Sequence, residues 1–130
     1  YKLRYDFHGN RQERRKKQKK FVIDVVSFSN TIRYEPSYIL IGITDNREFI
    51  GLEDENGYRD DAKLQQIVNN FNVNPFPNFT YDEIGFDDKF FGIIEFPMPN
   101  FNKVVELDGI AYGRYGSSNM KLDETRKEQV

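Results

Sequence analysis

Cysteine and tryptophan are both missing from the 130 residues, and histidine occurs once, as His8. The lack of cysteine excludes a disulfide scaffold, thiol catalysis and thiolate-held zinc or iron–sulfur clusters. A lone histidine cannot assemble a histidine-rich metal site, and His8, beside Gly9, reads as a turn residue. Long hydrophobic runs are missing too. The longest, residues 38–41, is far short of the roughly 20 residues a helix needs to span a bilayer, so no membrane partner is expected. Hydrophobic residues still make up 38% against 31% charged, too apolar for an intrinsically disordered chain. What the chain has in quantity is aromatic: 12 Phe and 8 Tyr. A chain of this length buries roughly two-thirds of its unfolded surface, enough for a core. It begins with Tyr1, and no charged-then-apolar leader follows. The expectation is a single domain over residues 1–130, excised from a longer cytoplasmic protein.

The net charge of −2 conceals a segregation. Residues 11–20 hold Arg11, Arg14, Arg15, Lys16, Lys17, Lys19 and Lys20 against Glu13 alone, a local charge of +6, so the other 120 residues carry −8. Such a block attracts polyanions within a Debye length, or forms a solvated helix face.

Patterning predicts the elements. Residues 1–7 suit an edge strand with Leu3, Tyr5 and Phe7 on one face, and a turn follows. A helix is expected from Arg11 to about Ser29, basic at first and then buried through Phe21, Val22, Val25, Val26 and Phe28. Residues 37–43 are apolar on both faces and read as a central strand. Residues 44–47 turn the chain, and residues 48–52 return as a short strand. Asp60 or Asp61 caps a second helix carrying Leu64, Ile67, Val68 and Phe71. Residues 79–86 and 90–96 flank Asp87-Asp88-Lys89 as a hairpin, and residues 104–107 and 110–115 flank Asp108-Gly109, the best turn signal in the chain. Residues 116–119 read as a loop, and a third helix is expected from about Leu122. The fold class is α+β, with a mixed, mostly antiparallel sheet and about three helices.

Three segments carry a resemblance. They are Phe21-Val22-Ile23-Asp24-Val25-Val26-Ser27-Phe28-Ser29-Asn30-Thr31 with Tyr38-Ile39-Leu40-Ile41-Gly42-Ile43-Thr44-Asp45, then Phe49-Ile50-Gly51-Leu52, and finally Ala111-Tyr112-Gly113-Arg114-Tyr115-Gly116-Ser117-Ser118. In order and spacing the chain resembles the Schlafen AlbA-type domain over about residues 18–125. The resemblance implies an α+β nucleic-acid-binding module, of the kind found in bacterial regulators, helicase-like proteins and defence proteins. It also implies a metal-dependent endoribonuclease in some members, whose carboxylates lie in a Glu-x4-Glu-Phe-Lys stretch and in an Asp after the Gly-Val strand. Asp45 matches that last Asp. The Glu-Phe-Lys stretch falls around Arg4-Tyr5-Asp6, where Arg replaces Glu.

A metal-dependent phosphodiesterase needs several carboxylates converging on the ion. Asp45 alone does not provide that. Asp6, Asp45 and Glu48 would have to meet across neighbouring strands, and Asp45 reads first as a turn residue in Thr44-Asp45-Asn46-Arg47. Neither catalytic residues nor a cofactor or metal are therefore expected. The expected function is binding of DNA or RNA by a non-catalytic module. Arg14, Arg15, Lys16, Lys17, Lys19 and Lys20 would contact phosphates, and Arg114, Ser117 and Ser118 would form a second anion site. The bland alternatives are a strand-end ion pair for Arg114 and an ordinary loop for the serines. Tyr34, Tyr38, Tyr112 and Tyr115 are candidates for base stacking. Two other functions stay open: a protein-interaction or homodimerisation module, and a degenerate nuclease. Other domains of the parent chain are further expected partners.

Overall fold

A computed structural model describes residues 2, 5, 7, 9–31, 34–52, 60–98, 104–116 and 118–122. In chain order the elements are α1 (Arg11–Ser29), β1 (Ser37–Ile41), α2 (Asp61–Asn69), β2 (Val73–Asn74), β3 (Thr80–Phe86), β4 (Lys89–Phe96), β5 (Glu106–Leu107), β6 (Ile110–Tyr115) and β7 (Ser118–Lys121). Two antiparallel sheets result, β1-β4-β3 and β2-β5-β6-β7. The α+β class and the antiparallel pairing agree with the sequence. Two helices are seen among the described residues, and the third expected one lies outside them beyond Leu122. No helix among the described residues is long and apolar enough to cross a membrane.

Helix α1 begins where its chemistry requires. The Asn10 side chain accepts a hydrogen bond from the Glu13 N–H at 2.9 Å, satisfying one of the free donors of the first turn. Its second half is the spine of the core. Phe21, Val22, Val25 and Val26 are fully buried and meet Ile39 and Ile41 of β1, Ile94 and Phe96 of β4, Leu64 and Val68 of α2, and Leu107 of β5. Burying each such side chain stabilises the fold by about 1.5–3 kcal/mol. Phe21 meets the Tyr5 and Phe79 rings edge-on, at 5.0 and 6.3 Å. The helix ends on Asn30, whose side chain donates to the carbonyls of Val105 and Tyr112 at 2.7 and 2.8 Å and accepts from the Val105 N–H at 2.8 Å. One buried amide thus fastens the end of α1 to the second sheet.

Several expectations are corrected. β4, not residues 37–43, is the central strand of its sheet. β1 alternates, with Ile39 and Ile41 buried and Tyr38 exposed, so its apolar run covers only one buried face. The return strand over residues 48–52 shrinks to one bridge between Ile43 and Phe49. The cause is a pair of glycines: Gly42 at φ +101° accepts from the Ile50 and Gly51 N–H groups, both at 2.9 Å. A Cβ on Gly42 would lie 3.1 Å from the Gly51 carbonyl carbon. Of the edge strand expected over residues 1–7, the described residues show one parallel bridge, Lys2 to Ile41. Residues 118–121 form β7 rather than a loop, because Tyr115 and Ser118 pair across a tight turn at Gly116, φ +61°. The Asp108-Gly109 turn is as expected, with φ +51° and +78° in the two-residue geometry that suits twisted hairpins.

Candidate nucleic-acid interface

The basic half of α1 lies outside the core. Every residue from 11 to 16 is exposed, so the helix presents charge on all sides over more than a full turn. Lys19 and Lys20 are also exposed, and Lys17 is half-buried. Arg15 differs from its neighbours. Its guanidinium sits 3.8 Å from the centre of the Phe71 ring and donates to the Asn70 carbonyl at 3.3 Å, joining α1 to the end of α2. Arg14, Lys16, Lys19 and Lys20 remain as exposed cations turned to solvent.

The second set behaves differently. Arg114 lies on β6 and reaches inward to Asp24 of α1, with 3.8 Å between guanidinium and carboxylate. Ser118 opens β7 as an exposed strand residue, so it does not cap a helix, and Ser117 lies outside the described residues. Ser118 thus stands on a strand rather than in the loop expected before a last helix. Arg114 finds other company. Its guanidinium donates to Asn119 Oδ1 at 2.8 Å and lies over the Phe28 ring at 5.1 Å.

Asp24 is the centre of this group. Its side chain is 9% exposed; Oδ1 accepts from Asn119 Nδ2 at 2.7 Å and Oδ2 from the Tyr5 hydroxyl at 2.6 Å. Lys2 approaches Oδ2 to 3.7 Å. Burial, and then the Asp24 charge and hydrogen bond, hold the Tyr5 hydroxyl well above the usual tyrosine range, which Arg114 opposes more weakly. A buried carboxylate without partners would be costly, and this one has four. Lys2, Tyr5, Asp24 and Arg114 line a small cleft of about 40 Å³ together with Phe28, Tyr38 and Ile39. Lys2, Tyr5, Asp24 and Asn119 are not among the site residues that the sequence predicts. Asp24 carries a signal, as the one acid within the apolar half of α1; the others are brought in by pairing.

Of the stacking candidates, Tyr34, Tyr38 and Tyr115 are exposed, whereas Tyr112 packs against the core. Asp45 occupies an exposed turn closed by Thr44, whose Oγ1 accepts from the Glu48 N–H at 3.0 Å. Asp6 and His8 lie outside the described residues. Among the described residues, no three of His, Cys, Asp and Glu come together as a metal site.

The chain belongs to the Schlafen, AlbA_2 family, whose model matches residues 2–123. Comparison with curated proteins yields no match. Among solved structures, the chain is similar to the DIP2311 protein from Corynebacterium diphtheriae, with 16% sequence identity and a TM-score of 0.59. The match covers 94% of this chain and 21% of that one, so the chain spans about a fifth of that protein's length. At this identity the likeness concerns the fold.

Proposed function

We propose that this Schlafen AlbA_2 domain is a nucleic-acid-binding module, for DNA or RNA, without catalysis of its own and working as one domain of a longer regulatory or defence protein. The observation that carries it is the positive charge held on the exposed start of α1. Cations at a helix N-terminus oppose its dipole. Arg11 with Arg15, Arg15 with Lys19, and Lys16 with Lys20 are also like-charge pairs one turn apart, each costing about 0.2–0.5 kcal/mol. Helix stability would favour acids there. A polyanion reverses both terms, because each phosphate neutralised releases condensed counterions.

Arg14, Lys16, Lys19 and Lys20 supply the main phosphate contacts, with Lys17 and Arg15 beside them and Arg114 as a separate contact. The test is binding of labelled single- and double-stranded DNA and RNA by fluorescence anisotropy. A variant with Lys16, Lys17, Lys19 and Lys20 changed to Glu should lose at least about a hundredfold in affinity. For four to six contacts, raising salt from about 50 to 200 mM should weaken the parent on the order of 10²–10³-fold. Absence of binding by the parent at low salt would sink the proposal.

A second reading has its own observation. The outer face of the β1-β4-β3 sheet exposes Tyr38, Ile84 and Phe86, with Phe49 beside Phe86 at 6.4 Å between rings. Exposed apolar clusters suit association, so a homodimer through this face is the alternative. A dimeric mass in solution, abolished by Phe86→Asp and indifferent to nucleic acid, would favour it.

A further inference from the structure

We infer that the cleft between α1, β1 and β6 binds a phosphomonoester group, gripped by Lys2 and Arg114 above the buried Asp24 carboxylate. This deepens the nucleic-acid reading, on which it rests for the identity of the polymer but not for the group bound.

The first argument is donor accounting. Both Asp24 oxygens are satisfied by neutral donors, the Tyr5 hydroxyl at 2.6 Å and the Asn119 amide at 2.7 Å. The two cations stand farther off, at 3.7 and 3.8 Å, beyond hydrogen-bond distance. Asp24 therefore draws both cations to the cleft without consuming their N–H groups. Of the five donors on a guanidinium, Arg114 commits one to Asn119 Oδ1. The Lys2 ammonium faces the Tyr5 ring, 5.2 Å from its centre, and keeps its donors for another acceptor. The Phe28 ring at 5.1 Å and the bond to Asn119 position the Arg114 guanidinium before any ligand arrives.

Charge and size narrow the ligand. Around Asp24 itself, two cations against one carboxylate leave a surplus of positive charge where Arg114 is 25% and Lys2 45% exposed, while the Glu95 carboxylate stands at the mouth, engaged by the Tyr38 hydroxyl. An oxyanion completes that balance, and a phosphomonoester brings a charge of about −1.5 to −2 at neutral pH. A cleft of about 40 Å³ has space for a phosphoryl head and none for a base. Tyr5, Asp24, Phe28 and Ile39 wall its inner side. An internal phosphodiester needs two exits for its chain, whereas a terminal phosphate needs one. The Tyr38 hydroxyl is engaged by the Glu95 carboxylate across the strand pair, leaving the exposed ring as a wall of the mouth.

The test follows the Arg114 Nε–H resonance while the chain is titrated with a 5′-phosphorylated RNA trinucleotide, its 5′-hydroxyl counterpart, and inorganic phosphate. The phosphorylated trinucleotide should shift that signal saturably and bind about tenfold more tightly than the hydroxyl form, the scale of one charge-assisted hydrogen bond. In Lys2→Gln the preference should vanish with the amide spectrum otherwise unchanged, because Tyr5, Asn119 and Arg114 still hold Asp24. Tighter binding of the phosphorylated trinucleotide than of inorganic phosphate identifies a nucleic-acid end as the source. Saturable phosphate binding with no preference between the trinucleotides identifies a free phosphate compound. No saturable shift with any probe, or a preference for the phosphorylated trinucleotide that survives Lys2→Gln, overturns the inference. The α1 variant with four Lys→Glu changes separates the two proposals, since it should lose long polymers and keep the phosphate-dependent shift. If that variant binds long polymers as the parent does, the α1 assignment fails while the cleft stands on the short ligand.

Discussion

The two halves of α1 are continuous in backbone and opposite in physics. From Phe21 onward the helix is held by the core and closed by Asn30. Before Phe21 it is held by its Asn10 cap, by Arg15 on Phe71, and by continuity with the buried half. A stretch that contributes little packing and repels itself is where sequence is free to serve a ligand. A stretch that buries every third or fourth residue is where sequence serves the fold. Substitutions in the two halves should therefore move different observables, stability in one and polyanion affinity in the other.

The largest effect should come from Asn30→Ala. It leaves two carbonyls and one N–H without their bonds in a buried site, at about 1–3 kcal/mol for each unsatisfied group. Urea denaturation should show a loss of several kcal/mol in total, with affinity for nucleic acid unchanged in the fraction that remains folded. A loss below about 1 kcal/mol would mean that the end of α1 is anchored by packing alone.

Alkali offers a second way to probe the buried half. Tyr5 keeps its proton in the fold well above the usual range because it is buried against Asp24, while an unfolded tyrosine releases it near pH 10. The contribution is complete below about pH 10 and declines as pH rises beyond it, by up to about 1.4 kcal/mol per pH unit. Tyr5→Phe should be less stable at pH 7, since it removes the hydrogen bond to Asp24, yet show a flatter decline above pH 10. Equal slopes for parent and variant in chemical denaturation would contradict the burial of this hydroxyl.

How much of this is legible in the sequence follows the range of each interaction. The bounds of α1, the Asp60 cap of α2 and the Asp108-Gly109 turn are readable because each is set by residues within a few positions of one another. β7 is not, since Ser118-Asn119-Met120-Lys121 has one apolar residue and takes its strand character from pairing with β6. The short return after β1 escapes a linear reading because the close approach of Gly42 and Gly51 is a three-dimensional constraint. The motif Ser29-Asn30-Thr31 marks the right place without disclosing that Asn30 ties down Val105 and Tyr112, more than 70 residues away. The charge block is legible as a block, but the division between exposed Lys16 and ring-stacked Arg15 is not. The Asp24 cleft gathers Lys2, Asp24 and Arg114 from distant parts of the chain, and no spacing encodes it.

Arg15 sharpens the contrast because it lies in the basic half yet packs on the Phe71 ring at the C-terminal end of α2. Arg15→Gln removes the stacking on Phe71 and the bond to Asn70, and should cost about 0.5–1 kcal/mol. Lys16→Gln, one residue on and exposed, should cost nothing in thermal denaturation and gain up to about 0.5 kcal/mol by relieving its repulsion with Lys20. In salt titrations both should reduce the slope by about 0.9 for each phosphate that is no longer neutralised. Equal thermal stability of the two variants would place Arg15 among the purely surface cations.

The smallest effect expected is a gain. Ser27 is fully buried on α1, and its hydroxyl has no partner among the described residues. An unsatisfied buried hydroxyl is destabilising relative to a methyl group of similar size, and alanine is the better helix former. Ser27→Ala should therefore raise stability by about 0.5–1 kcal/mol, read as a higher urea midpoint at unchanged slope. Its distance from the basic block predicts no change in nucleic-acid affinity. A loss of stability would mean that this hydroxyl has an acceptor in solution, and the second half of α1 would then not be governed by packing alone.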